Sequence, residues 1–74
     1  MIFKFKGQQV RIGDRITFRA ITKYSNARAT RKVNGFWGSP SAPKPTVRYK
    51  GWPDFPVFSS EIIKHIKQED YETR

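Results

Sequence analysis

The chain opens on period-two alternation, the pattern of strands with one face buried and the other in water. Phe3 and Phe5 alternate with Ile2, Lys4 and Lys6, and Gly7-Gln8 supplies a turn. Val10 and Ile12 flank Arg11, and Gly13-Asp14 offers a second turn or bend. Ile16, Phe18 and Ala20 then alternate with Arg15, Thr17 and Arg19. Ile21 breaks the alternation, as a bulge or a residue turned to a second packing surface does. Tyr24-Ser25-Asn26 reads as a loop, because Ser and Asn side chains bond to turn backbone.

A third strand is expected from about Arg28 to Asn34, with Thr30 and Val33 as its best β-formers. Gly35-Phe36-Trp37-Gly38 then leads into Ser39-Pro40-Ser41-Ala42-Pro43-Lys44-Pro45. Three prolines in six residues remove ladder donors and fix φ, which predicts an extended, exposed loop inside one domain. Thr46 to Lys50 predicts a short strand with Val47 and Tyr49 on one face and Arg48 and Lys50 on the other. Gly51-Trp52-Pro53-Asp54 reads as a turn, and Phe55 to Phe58 as a last short strand that Pro56 restricts to an edge or bulge. Ser60 is placed as a helix N-cap with Glu61 against the dipole. Ile62, Ile63 and Ile66 then share one face of a helix of about two turns, with Lys64 and Lys67 toward its C-terminal end and His65 beside its solvent face. These elements predict a mainly β fold: a small five-stranded barrel, or a strongly twisted antiparallel sheet, with a short C-terminal helix. Residues 1–67 form the single domain, and 68–74, poor in apolar residues, form a frayed tail.

Composition narrows the chemistry. A chain of 74 residues buries only roughly 60% of the surface its unfolded form exposes, so its core is thin. There is no cysteine to staple that core, and a single His excludes a His-rich zinc site. No metal and no cofactor is expected. No uninterrupted apolar stretch reaches the ~7–15 residues of a secretory signal or the ~20 of a membrane span, which leads to the expectation of a cytoplasmic protein without a membrane partner.

Charge carries the functional signal. Net charge is +9, and the excess is uneven: residues 1–60 hold twelve Lys and Arg against Asp14 and Asp54, while residues 61–74 hold three against four acids. Alternation sets Lys4, Lys6, Arg11, Arg15, Arg19, Arg48 and Lys50 opposite the apolar residues of their strands, and Arg28, Arg31 and Lys32 add a cluster on the third strand. A solvated outer face explains polarity but not a single sign, since solubility surfaces interleave both. Cations without acids repel one another, and an anionic partner offsets that repulsion. The expected partner is therefore a polyanion, DNA or RNA, bound by a monomer or small homo-oligomer.

Phe3, Phe5, Phe18, Tyr49 and Phe58 fall at core positions. Phe36-Trp37 and Trp52 lie at the mouths of the Pro-rich loop and the Gly-Trp-Pro turn. Two readings stand for them: packing under the loop, or a binding role in which Trp37 and Trp52 stack on bases or cage a cation. No spacing pairs Asp14, Asp54 or Glu61, and a single His leaves no self-contained hydrolytic triad, so no catalytic residue is assigned.

The order Gly13-Asp14-Arg15-Ile16-Thr17-Phe18, then Val33-Asn34-Gly35-Phe36-Trp37, Val47-Arg48-Tyr49 and Glu61-Ile62-Ile63 resembles an SH3-like barrel over about residues 9–66. Within that fold, the Gly-Asp-Arg start, the Val-x-Gly-aromatic-aromatic step and the Ile-rich ending are similar to the type II dihydrofolate reductases. Their active strand carries Val-Gln-Ile-Tyr where this chain reads Phe55-Pro56-Val57-Phe58. Phe3-Lys4-Phe5-Lys6-Gly7 is similar to the opening hairpin of small archaeal chromatin proteins, whose middle lacks the proline-rich stretch. Neither likeness transfers a functional residue, and SH3-like barrels serve DNA, RNA and peptides alike. The leading expectation is a non-enzymatic nucleic-acid-binding protein whose size and basic character suit a phage or mobile element. The alternatives are an interaction module binding an acidic or peptide partner through the Pro-rich loop, and a small oligomeric enzyme with its site at a subunit interface.

Overall fold

A computed structural model describes residues 2–21 and 26–72. Two hairpin turns share one solution. Strands β1 (Phe3–Phe5) and β2 (Gln8–Val10) are joined by Lys6-Gly7, with φ of 51° and 81°. Strands β5 (Lys44–Tyr49) and β6 (Trp52–Pro56) are joined by Lys50-Gly51, with φ of 48° and 82°. Two positive φ values in a two-residue loop define the type I′ turn, whose twist matches that of its strands. The four-residue turn thus runs from Tyr49 to Trp52, two residues earlier than Gly51-Trp52-Pro53-Asp54, and Trp52 is already in β6, opposite Tyr49. Asn is the residue this turn prefers ahead of Gly, and a long side chain held at φ near 50° costs roughly 1–2 kcal/mol. Lys50→Asn is therefore expected to raise stability by about 0.5–1 kcal/mol, read from urea melts of the two proteins.

Strand β3 (Arg15–Ile21) runs antiparallel to β4 (Asn26–Trp37) in unbroken register from Arg15↔Lys32 to Ile21↔Asn26. The expected loop at Tyr24-Ser25 and the Ile21 side chain lie outside the described residues; Asn26 is already the first residue of β4. That strand extends past Asn34 to take in Phe36 and Trp37. Pro45, assigned by its neighbours to the loop, is buried in β5 opposite Phe36. A bulge at Asn34 lets β4 bend here. Its amide oxygen accepts from Thr46 Oγ1 at 2.7 Å, and its amide nitrogen donates to the Pro53 carbonyl at 2.7 Å, tying three strands together.

The largest correction concerns residues 62–66. They form strand β7 (Ile62–Ile66) on the free edge of β3 rather than a helix, after a single 3₁₀ turn at Ser59–Glu61. A two-turn helix is too short to hold itself, and β-branched isoleucines favour the pleated edge that β3 offers. A bulge between Thr17 and Phe18 in this pairing sets Ile62 opposite Phe18 and His65 opposite Ile16. Both inward residues thus lie three apart, a spacing that imitates a helix. The helix proper is α1 (Gln68–Glu72), within the segment expected to be a tail.

The five-stranded sheet has the order β6-β5-β4-β3-β7 and stays open, so the antiparallel-sheet alternative holds and no barrel closes. At one edge Pro53 and Pro56 remove ladder donors from β6. The core covers the inner face: Ile16, Phe18, Val33, Val47 and Val57 are almost fully buried, and the β1–β2 hairpin adds Phe3 and Val10, which face each other across its ladder. Phe18, Tyr49 and Phe55 form a ring cluster with centroids 5.4–6.3 Å apart. Phe58, expected in this core, is 53% exposed.

Candidate nucleic-acid interface

The outer face of β7, β3 and β4 gathers one sign of charge. Directly opposite residues of a ladder share a face, with Cβ atoms about 4.5–5.5 Å apart. Arg15 faces Lys32, Thr17 faces Thr30 and Arg19 faces Arg28, giving two rows of like charges on either side of a threonine pair. The Thr17 and Thr30 hydroxyls bond at 2.7 Å. On the other side of β3, Lys64 stands opposite Thr17 and so joins the same face. All five of these Arg and Lys residues are exposed. The charged rows lie four residues apart along β3, about 13 Å at 3.3 Å per residue. Arg15 is held in place by the Tyr71 ring, 4.1 Å from its guanidinium carbon. Arg19 and Arg28 form no ion pair among the described residues.

Other cations assigned to this face lie elsewhere. Arg31 is opposite Ile16, on the core side, with its guanidinium 5.4 Å from the Tyr49 ring centre. Lys50 lies 5.4 Å from the same ring, and Trp52 stands opposite Tyr49, so these three form a separate cluster at the sheet end. Lys6 and Lys50 occupy turns, Lys4 belongs to the separate two-stranded hairpin, and Arg11 precedes the Ile12-Gly13 turn. Arg48 is the exception: exposed on β5 and turned away from the face of Val47 and Tyr49, it stays on the outer side of the same sheet, one strand beyond β4. Trp37 and Trp52 are 59% and 65% exposed, which removes the reading of either ring as a mini-core under the loop. By register they fall on opposite faces: Trp37 pairs with Lys44, Trp52 with the buried Tyr49.

A buried hydrogen-bonded cluster around Asp14 fixes the end of this face. Asp14 is 5% exposed, and its Oδ2 accepts from the Arg11 N–H at 3.0 Å and from His65 Nε2 at 2.7 Å. Its Oδ1 accepts from the Gln68 N–H at 2.9 Å. Burial by itself would raise this carboxyl, but the three hydrogen bonds and the attraction of His65 outweigh it and hold the group below the ordinary carboxylate value. An ionised carboxylate only accepts, so the shared hydrogen sits on Nε2; His65 Nδ1 is buried without a partner among the described residues. The Tyr71 hydroxyl donates to the Gly13 carbonyl, and Asp14 and Gly13 exchange backbone bonds with Val33. This network anchors Arg15, the next residue, and positions Tyr71 over it. Reading Asp14 as a simple turn residue and His65 as a solvent-facing helix residue missed the pair, because the partners lie 51 residues apart.

Lys64 was missed for a related reason: on a helix it belongs to no sheet face, and only the β7 register reveals its place. Among the described residues no group of three or more His, Asp and Glu side chains comes together as metal ligands, and no helix is long and apolar enough to cross a membrane. No protein family model, curated protein or solved structure matches this chain.

Proposed function

We propose that this is a non-enzymatic nucleic-acid-binding protein that grips phosphates through the outer face of β7, β3 and β4. One observation supports the reading above the rest: Arg19 and Arg28 are a like-charge cross-strand pair on an exposed face that also carries Arg15, Lys32 and Lys64. Like charges directly opposite destabilise a ladder, and a bound phosphate chain offsets that cost. Of the two threonine hydroxyls between the rows, one donates to the other and the second keeps a hydrogen for a phosphate oxygen, while Lys64, opposite Thr17, adds a cation to that middle row.

The test is a salt-titrated binding panel of single- and double-stranded DNA and RNA. With ~4–6 phosphates neutralised, log K is expected to fall against log salt with a slope of about −3 to −5 between 50 and 250 mM. Failure to bind any of the four at 50 mM salt overturns the reading. So does tight binding to acidic proteins alone, which would assign the same cations to a protein partner.

A further inference from the structure

We infer that the groove beside Trp37 receives an unstacked nucleobase, which makes the ligand single-stranded; this rests on the nucleic-acid reading above. The groove has a volume of about 510 Å³, and its walls include Ile2, Lys4, Pro43, Lys44, Phe58 and Ser60. Its lip is an aromatic pair around one cation. The Lys44 ammonium lies 5.6 Å from the centre of the Trp37 ring and 5.3 Å from that of Phe58, so a single charge orients both rings. Yet the rings remain 59% and 53% exposed, and Ile2, lining the same groove, is 61% exposed. In a domain with so thin a core, Ile2 and Phe58 left in water along one groove, with Trp37 joined to it through Lys44, mark a surface that another molecule covers.

Charge selects the occupant. A methylated or otherwise cationic side chain is the usual guest of exposed aromatic rings, but Lys44 already occupies that position, and Lys4 lines the groove beside it. A second cation would be repelled. An apolar peptide would bury both ammonium groups without a counter-charge. A nucleotide satisfies both demands: its base offers a π-face to Trp37 or Phe58, and its phosphate lies within reach of the lysines. A base paired inside a duplex has both faces stacked on neighbours and cannot enter, whereas a base of a single strand can.

The test uses the full chain with short oligothymidylate, oligouridylate and a DNA duplex at 50 mM salt. In the Trp52→Phe variant Trp37 is the remaining indole, and its fluorescence is expected to quench saturably with a single strand and not with the duplex. Trp37→Ala and Phe58→Ala, both at exposed positions, are each expected to weaken single-strand binding by about 5- to 150-fold. Their duplex affinity and salt slope are expected to stay within about twofold of the parent, since stacking releases no counterions. The thymidylate and uridylate arms show whether the sugar matters. Unchanged single-strand affinity in both alanine variants overturns the inference, as does an equal loss on the duplex. Failure of the parent protein to bind any oligomer is a different result, and it removes the nucleic-acid reading itself.

Discussion

Replacing Arg19 with Glu is expected to make the protein more stable and a poorer binder of nucleic acid at once. Arg19 and Arg28 stand directly opposite each other on the outer face. The substitution turns a repulsive cross-strand pair into an attractive one, a change of about 0.2–1 kcal/mol, or roughly 1–8 °C in melting temperature for a domain of this size. It also removes one charge-assisted phosphate contact, which is expected to lower affinity about 10- to 150-fold at low salt and reduce the magnitude of the salt slope by about 1. Arg28→Glu should behave alike. The double variant separates the two effects: two glutamates repel again, so the gain in stability disappears while binding falls further. Thermal melts and salt-titrated binding of the four proteins make the cycle. If single variants bind as tightly as the parent, this face does not carry the phosphates.

The second large effect is expected at Asp14. Substitution by Ala leaves the Arg11 and Gln68 N–H groups and His65 without their acceptor inside the fold. Leaving buried donors unsatisfied in this way costs about 1–3 kcal/mol each, against a total stability of roughly 4–11 kcal/mol for a chain of this length. Asp14→Ala is therefore expected to be largely unfolded at 37 °C by circular dichroism; a melting temperature within a few degrees of the parent would refute the role given to the pair. The parent itself should show the same dependence through pH. Because the native carboxyl is held below its unfolded value, its contribution is complete above the ordinary carboxylate range, about 3.9. As pH falls from there through the native value, protonation removes it. Urea midpoints measured from pH 6 to pH 2 should decline steeply below pH 4 in the parent. In the milder Asp14→Asn variant that decline should be shallower.

Those predictions draw on two kinds of information, and only one of them is visible along the chain. Strict alternation at Ile16, Phe18 and Ala20 and at Val47 and Tyr49 reported faithfully which face of each strand is buried. Alternation fails wherever a bulge inserts one residue. At Ile63 it leaves Ile62 and His65 inward and three apart, and the strand passes for a helix. At Asn34 the bulge hides that Phe36 and Trp37 continue β4. The paired rows of arginine and lysine depend on register, which is set by turn geometry and core contacts rather than by any local pattern. The charge excess was thus legible from composition, but not which of the cations share a surface: Arg31, Lys6 and Lys50 do not, and Lys64 does.

The long reach of the Asp14 network also bears on the time course of synthesis. Asp14 and Gln68 are separated by 54 positions in the chain, so at ~5–20 residues per second the ribosome delivers the second about 3–10 s after the first. Until β7 is made, late in that interval, the β3 edge it will cover has open donors and acceptors, and the carboxylate lacks both His65 and Gln68. Hydrogen-bond closure of that edge waits until Ile62–Ile66 have left the tunnel, and until then the open strand is a site for exchange with other nascent chains.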